Sequence, residues 1–181
     1  MEDIIQEAEL SAGAVYTYFK SKDELILSAI STSLESMGGL LGPVMGNGEH
    51  LTPDELVHEA LNIIAQFTKR KGLNFNTVIL MCWNESQTND SVKALIRSFH
   101  ASYPKVLAGT VAAWQQKKIL EPGGDPVEIA KAFVSFFYGF IVQAALLGEA
   151  SPEILTRGLK GLLSSQVAKR SRAKKAENRR S

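Results

Sequence analysis

One cysteine, three histidines and six prolines are spread over 181 residues. A single thiol excludes an intramolecular disulfide framework and any multi-cysteine zinc or iron–sulfur site. The histidines, His50, His58 and His100, form no His-rich cluster, so neither a metal nor a cofactor is expected. No Ser/His/Asp, Cys/His or paired-carboxylate arrangement accompanies a phosphate loop or metal-ligand spacing, which argues against an enzyme. Cys82, set among Leu80, Met81 and Trp83, reads as a buried thiol rather than a nucleophile. The opening MEDIIQEAEL lacks the basic start and apolar run of a signal peptide. The longest apolar run, at 132–147, is short for a membrane span and contains Gln143. The expectation is a soluble protein of the reducing cytoplasm, with no membrane partner.

Net charge is also nearly absent, at +1, but it is the sum of unlike parts. Residues 169–181 hold seven basic residues and one acidic, whereas residues 1–168 hold 13 basic and 18 acidic. A segment as polar as 169–181 has no apolar surface to bury and is expected to be a disordered basic tail. Such tails are usually solubilising; an auxiliary nucleic-acid arm is the alternative.

What the sequence does hold is helix signals. Ser21 and Glu24 form a capping box, repeated by Thr52 with Glu55 and by Asp125 with Glu128, the latter two with proline at the first helical position. Ser151-Pro152-Glu153 is a fourth such start. Apolar residues at helical spacing follow, among them Leu56, Ala60, Ile63 and Phe67, then Phe133, Phe137, Phe140 and Ala144. The expected fold is all-α, with short helices near 2–8 and 11–18 and a longer one from 22 to about 40. That one is expected to stop at the breaker Gly38-Gly39, Gly42-Pro43 and Gly46-Asn47-Gly48. Further helices are expected at 53–71, 75–87, 91–119, 126–147 and 152–170, with Pro104 kinking or splitting the 91–119 segment.

The most informative stretch is 1–30. Two short helices meet at a tight turn, Glu9-Leu10, and Ser11 caps the second. This is a helix-turn-helix, whose second helix can enter a DNA major groove. Its first turn, Ser11-Ala12-Gly13-Ala14, is small enough for close backbone approach to base edges. Val15 and Phe19 form its inner stripe, and Tyr16, Thr17 and Tyr18 present hydroxyls toward phosphates. Lys22 opens the next helix, where backbone N–H groups add to its charge. Tyr16 and Tyr18 are also suited to rim packing on that helix.

The stretch SAGAVYTYFKSKDEL resembles the recognition helix and the following helix start of the TetR family of bacterial transcriptional regulators, through Tyr16, Tyr18, Phe19, Ser21, Lys22, Asp23 and Leu25. Trp83-Asn84-Glu85, Asp125-Pro126 with Ala130, and Phe137-Tyr138-Gly139 resemble the family's body more diffusely. The resemblance implies phosphate contacts from Tyr16, Thr17, Tyr18 and Lys22. It implies base-edge contacts from Ala12, Gly13 and Ala14, with Ser11 at the same surface. Without Arg, Asn or Gln in that turn, DNA shape is expected to carry much of the readout.

Three departures accompany it. The family has a further helix before this segment, so residue 1 is expected to fall inside its second helix. Glu9 occupies a turn position usually held by glycine, where positive φ costs roughly 1 kcal/mol. Residues 1–26 carry two basic and six acidic residues, which weakens phosphate affinity.

The resemblance further implies a ligand-responsive regulator, most naturally a repressor released from its operator by a small-molecule inducer. The expected architecture is residues 1–30 for DNA, 31–168 for ligand binding and dimerisation, and 169–181 as tail. Phe67, Met81, Trp83, Glu85, Phe99, Tyr103, Trp114 and Phe137 are the candidate pocket residues; ordinary core is the alternative for each. Asn84, His100 and Gln115 are additional polar candidates. Helices near 126–147 and 152–168 are expected to pair a homodimer. The rival reading is a helical ligand-binding or interaction protein that has lost DNA binding.

Overall fold

The computed structural model describes residues 2–7, 9, 11–68, 75–148 and 150–163. The N-terminal hairpin pairs α1 (Glu2–Glu7) with α2 (Ala12–Tyr18). Next come α3 (Lys22–Gly46), a 3-10 turn at Gly48–His50, α4 (Pro53–Thr68), α5 (Phe75–Glu85), α6 (Asp90–Gln116) and α7 (Pro126–Leu147). A last helix, α8, covers 152–163. Among the described residues there are no strands, and the fold is all-α. Residues 69–71 and 164–170 of the expected helices, and the basic tail, lie outside the described residues.

The caps act as the sequence suggests. The Ser11 hydroxyl accepts from the Ala14 N–H at 3.2 Å, and Ser21 accepts from Glu24 at 3.1 Å. The Glu24 carboxylate reaches back to the Lys20 N–H at 2.7 Å, one residue ahead of the cap. At α4, Glu55 accepts from the Thr52 N–H at 2.8 Å, the returning arm of a capping box. Asp125 accepts from the Val127 N–H at 2.9 Å. Asn89, which sequence reasoning passed over, caps α6 by accepting from both Ser91 and Val92.

Two expectations about helix ends are corrected. α3 runs 25 residues, through Gly38-Gly39 and Pro43, where a break was expected. Gly38 serves packing: a Cβ there would lie 3.3 Å from the Phe99 ring, so its absence lets α6 approach closely, whereas a Cβ at Gly39 would meet nothing within 4 Å. α6 likewise runs unbroken through Pro104, although that residue has no N–H for the His100 carbonyl. An interior proline costs about 3 kcal/mol. Full burial of Leu107, Val111 and Trp114 beyond it offsets that, at about 1.5–3 kcal/mol for each large side chain.

The main core gathers Leu56, Leu61 and Ile64 of α4, Leu107 and Trp114 of α6, and Phe137 and Phe140 of α7. α7 is apolar enough to span a bilayer by length and composition, as is α3. Here α7 packs along α6, α5 and α4. Two buried hydrogen bonds tie the α3–α4 corner to α6. Thr110 Oγ1 donates to the Met45 carbonyl at 2.6 Å, and Trp114 Nε1 donates to the Leu51 carbonyl at 2.7 Å. A Cβ at Gly48 would press on Leu56 Cδ1, so a larger residue where this corner closes requires the buried Leu56 side chain to shift.

A smaller cluster joins α3 to α6 nearer the N-terminal hairpin. Ile30, Val92 and Ile96 are buried together, with Ile26, Leu27, Leu34, Cys82 and Trp83 against them.

Candidate functional site

Two features stand out along α3: a helix hairpin at its N-terminal end and an apolar cavity against its middle. In the hairpin, Glu9 holds φ 54°, the left-handed turn conformation expected of it. Its N–H donates to the Gln6 carbonyl at 3.1 Å. Val15 is buried and Phe19 half-buried, so α2 turns that stripe inward. Ser11, Ala12, Gly13, Ala14, Tyr16, Thr17, Tyr18 and Lys22 are all exposed. Tyr16 and Tyr18 are 52% and 77% exposed, so a large part of each residue faces solvent. The Thr17 hydroxyl turns back to donate to the Gly13 carbonyl at 2.7 Å, so in this conformation it offers lone pairs outward, not a proton. Nothing lies within 4 Å of a Cβ at Gly13, so the first turn of α2 is open to an approaching surface.

Residues 1–29 match the family model described as bacterial regulatory proteins, tetR family. The N-terminal module belongs to the tetR family. It is followed here by a helical body, the order of parts the sequence suggested. No match emerged among curated proteins or among solved structures. The match spans residues 1–29, and the tetR module is a DNA-binding helix-turn-helix of transcriptional regulators.

The cavity lies beyond this tetR module, between α3, α5, α6 and α7, with a volume of about 160 Å³. α3 forms one wall through Ile30, Ser33, Leu34, Met37, Leu41 and Met45. Trp83, Phe99, Tyr103 and Phe137, four of the eight candidate pocket residues, line the other walls. The structure places the remaining four elsewhere. Trp114 is fully buried, its indole N–H is spent on the Leu51 carbonyl, and its ring stands edge-on to Phe133. Phe67 is buried in the main core on α4. Met81 is 65% exposed on the outer face of α5. Glu85 sits at the end of α5, where its carboxylate accepts from the side-chain amide of Asn89 at 3.5 Å. Among the polar candidates, Gln115 bonds the Gly124 carbonyl at 2.8 Å in the α6–α7 loop, and Asn84 is exposed. Only His100 reaches the cavity.

The α3 wall and Tyr138 were not foreseen. A signal was available: Ile30, Leu34, Met37, Leu41 and Met45 recur at helical spacing, but the glycines obscured the stripe.

Polar chemistry in the cavity is sparse. The Tyr138 hydroxyl and His100 Nδ1 share a hydrogen bond. Burial holds the His100 imidazole below the usual histidine range, favouring the neutral ring. Burial also pushes both the Tyr103 and Tyr138 phenols up, and Tyr138 adds to the effect on Tyr103. Cys82, at the rim, is pushed up by desolvation, which disfavours its thiolate. Among the described residues, the Tyr103 hydroxyl is the buried side-chain polar atom left without a partner. A ring ladder surrounds it: Phe99 meets Tyr103 edge-on with centroids 4.8 Å apart, and His100 meets Tyr138 at 4.7 Å.

Proposed function

We propose that this regulator is ligand-responsive, most simply a cytoplasmic repressor that a small-molecule inducer releases from its operator. The observation that carries the reading is that one helix, α3, belongs to both features. Lys22 begins it beside the recognition helix, and Ile30 to Met45 form a cavity wall. A continuous helix of this length spans about 37 Å and moves nearly as a rigid rod. A ligand that fits the cavity better in one α3 position than another biases where α2 sits, and only that differential affinity drives the shift.

In this reading residues 1–30 form the DNA-binding module and residues 31–168 the effector and dimerisation domain. Tyr16, Tyr18 and Lys22 contact phosphates, Thr17 joins them once its hydroxyl turns from the Gly13 carbonyl, and Ser11, Ala12, Gly13 and Ala14 approach base edges. Two copies pair through α7 and α8. Leu146, Leu147 and Ile154 are each more than 60% exposed in the single chain, which supports their burial in a two-fold helix bundle. A dimer sets two recognition helices about 34–36 Å apart, one helical turn of DNA.

The regulatory chemistry is binding, not catalysis, in keeping with a family whose members are generally non-enzymatic. The test is selection of duplexes from a random pool, followed by gel shift of the winners. Enrichment of a two-fold sequence bound as a dimer supports the reading. Binding that stays sequence-independent contradicts it.

A further inference from the structure

The cavity's composition limits what it takes up. Among the described residues, its lining contains no Asp, Glu, Lys or Arg side chain. An ion entering it leaves its hydration with no countercharge in return, which disfavours it against a neutral molecule. Besides the Trp83 indole and the Cys82 thiol, its polar groups are the Tyr138–His100 pair, the Ser33 hydroxyl, which donates to the Ala29 carbonyl, and one buried hydroxyl without a partner, on Tyr103. Tyr103 is only 7% exposed, and its hydroxyl lies 3.9 Å from where a Cβ would stand at Gly38, so it borders the α3 wall. A phenol is foremost a donor at neutral pH. A buried donor left orphaned is costly, and an acceptor on a ligand recovers that cost.

Size narrows the class further. The volume is about 160 Å³, and an apolar cavity of about 150 Å³ takes up one benzene ring. Trp83, Phe99 and Phe137 offer ring edges and faces to such an occupant.

Accordingly, we infer that the effector is a neutral, single-ring-sized apolar molecule bearing one hydrogen-bond-accepting oxygen, with Tyr103 donating to that oxygen. This rests on reading the cavity as the effector site, and the experiment separates the two. Isothermal titration calorimetry of the full chain, wild type and Tyr103→Phe, uses acetophenone, ethylbenzene and benzoate as probes. The pair of neutral probes differs in the carbonyl oxygen, and benzoate adds a charge.

The expected result is that Tyr103→Phe weakens acetophenone about five- to tenfold, the worth of one hydrogen bond, and leaves ethylbenzene unweakened. Benzoate binds less tightly than acetophenone to wild type. Isotope-edited infrared spectroscopy of wild type with carbonyl-labelled acetophenone gives a readout independent of the variant. The carbonyl band moves to lower frequency than for the same ketone in hexane. Equal weakening of both neutral probes, an unshifted carbonyl band, or tighter benzoate binding overturns the inference while leaving the cavity a ligand site. If neither acetophenone nor ethylbenzene binds at millimolar concentration to a cooperatively melting protein, the effector-site reading falls as well.

Discussion

Replacing Thr110 by valine tests how the cavity wall is anchored. Thr110 is 2% exposed, and its hydroxyl donates at 2.6 Å to the carbonyl of Met45, at the C-terminal end of α3. Helix C-termini leave carbonyls without intrahelical donors, and this one is satisfied from α6. Valine keeps the shape but strands a buried carbonyl, at about 1–3 kcal/mol. Exchanging a hydroxyl for a methyl regains about 0.8 kcal/mol, so the net loss centres on about 1.2 kcal/mol. Serine keeps the bond and loses one methyl, at about 0.8 kcal/mol. The expected order of stability is therefore wild type, Thr110→Ser, Thr110→Val. Urea unfolding followed by far-UV circular dichroism at one fixed protein concentration measures it, with the slope against denaturant unchanged. Thermal midpoints fall by about 2–4 °C per kcal/mol for a chain of this size. A Thr110→Val protein as stable as wild type, or more stable than Thr110→Ser, refutes the claim that this bond fastens α3 to α6.

Other expectations follow from the same geometry. Lys22→Ala leaves one DNA phosphate per chain without its cation, so the slope of log affinity against log salt becomes shallower by about 0.9 per chain, measured by fluorescence anisotropy on a selected duplex. Cys82, with its thiol pushed up by burial, reacts slowly with iodoacetamide at pH 7.5, and a cavity ligand slows it further. Equal rates with and without a bound ligand contradict Cys82 at the cavity rim. His100 has a folded-state value below that of the unfolded chain, so its contribution to stability is complete above about pH 6.5 and is lost as pH falls through the folded value. Denaturant titrations between pH 7 and 5 therefore show a shallower pH dependence for His100→Phe than for wild type. The Glu55 carboxylate is held below its ordinary range by the Thr52 cap, so Glu55→Ala flattens the stability curve as pH falls below about 4.3.

Helix starts were legible because they are local chemistry. Ser11, Ser21, Thr52 with Glu55, and Asp125 each announce a helix start, and each has a capping bond in the fold, Asp125 accepting from Val127 and not from Glu128 as its box would have it. The exposed face of α2 was legible for the same reason, since Val15 and Phe19 fix which side turns inward. Helix continuity was not local. Gly38 and Pro104 are punctuation in a single sequence window, yet with α3 packed on α6 both helices continue through them unbroken. The cavity was half legible because periodicity tells which residues share a face but not what that face meets. Trp83 and Trp114 look alike in sequence; one faces the cavity and the other spends its N–H on Leu51. The role of Glu85 was hidden behind the unforeseen cap at Asn89.

The central claim is that cavity occupancy and DNA binding are linked through α3. Its most direct test is the affinity for a selected duplex, by fluorescence anisotropy at fixed salt, with the cavity empty and with it filled. Filling is verified separately by calorimetry and by protection of Cys82. Coupling energies between linked sites run about 1–3 kcal/mol, so the account predicts DNA affinity at least about fivefold weaker with the cavity saturated. Equal affinity with the cavity demonstrably full contradicts it.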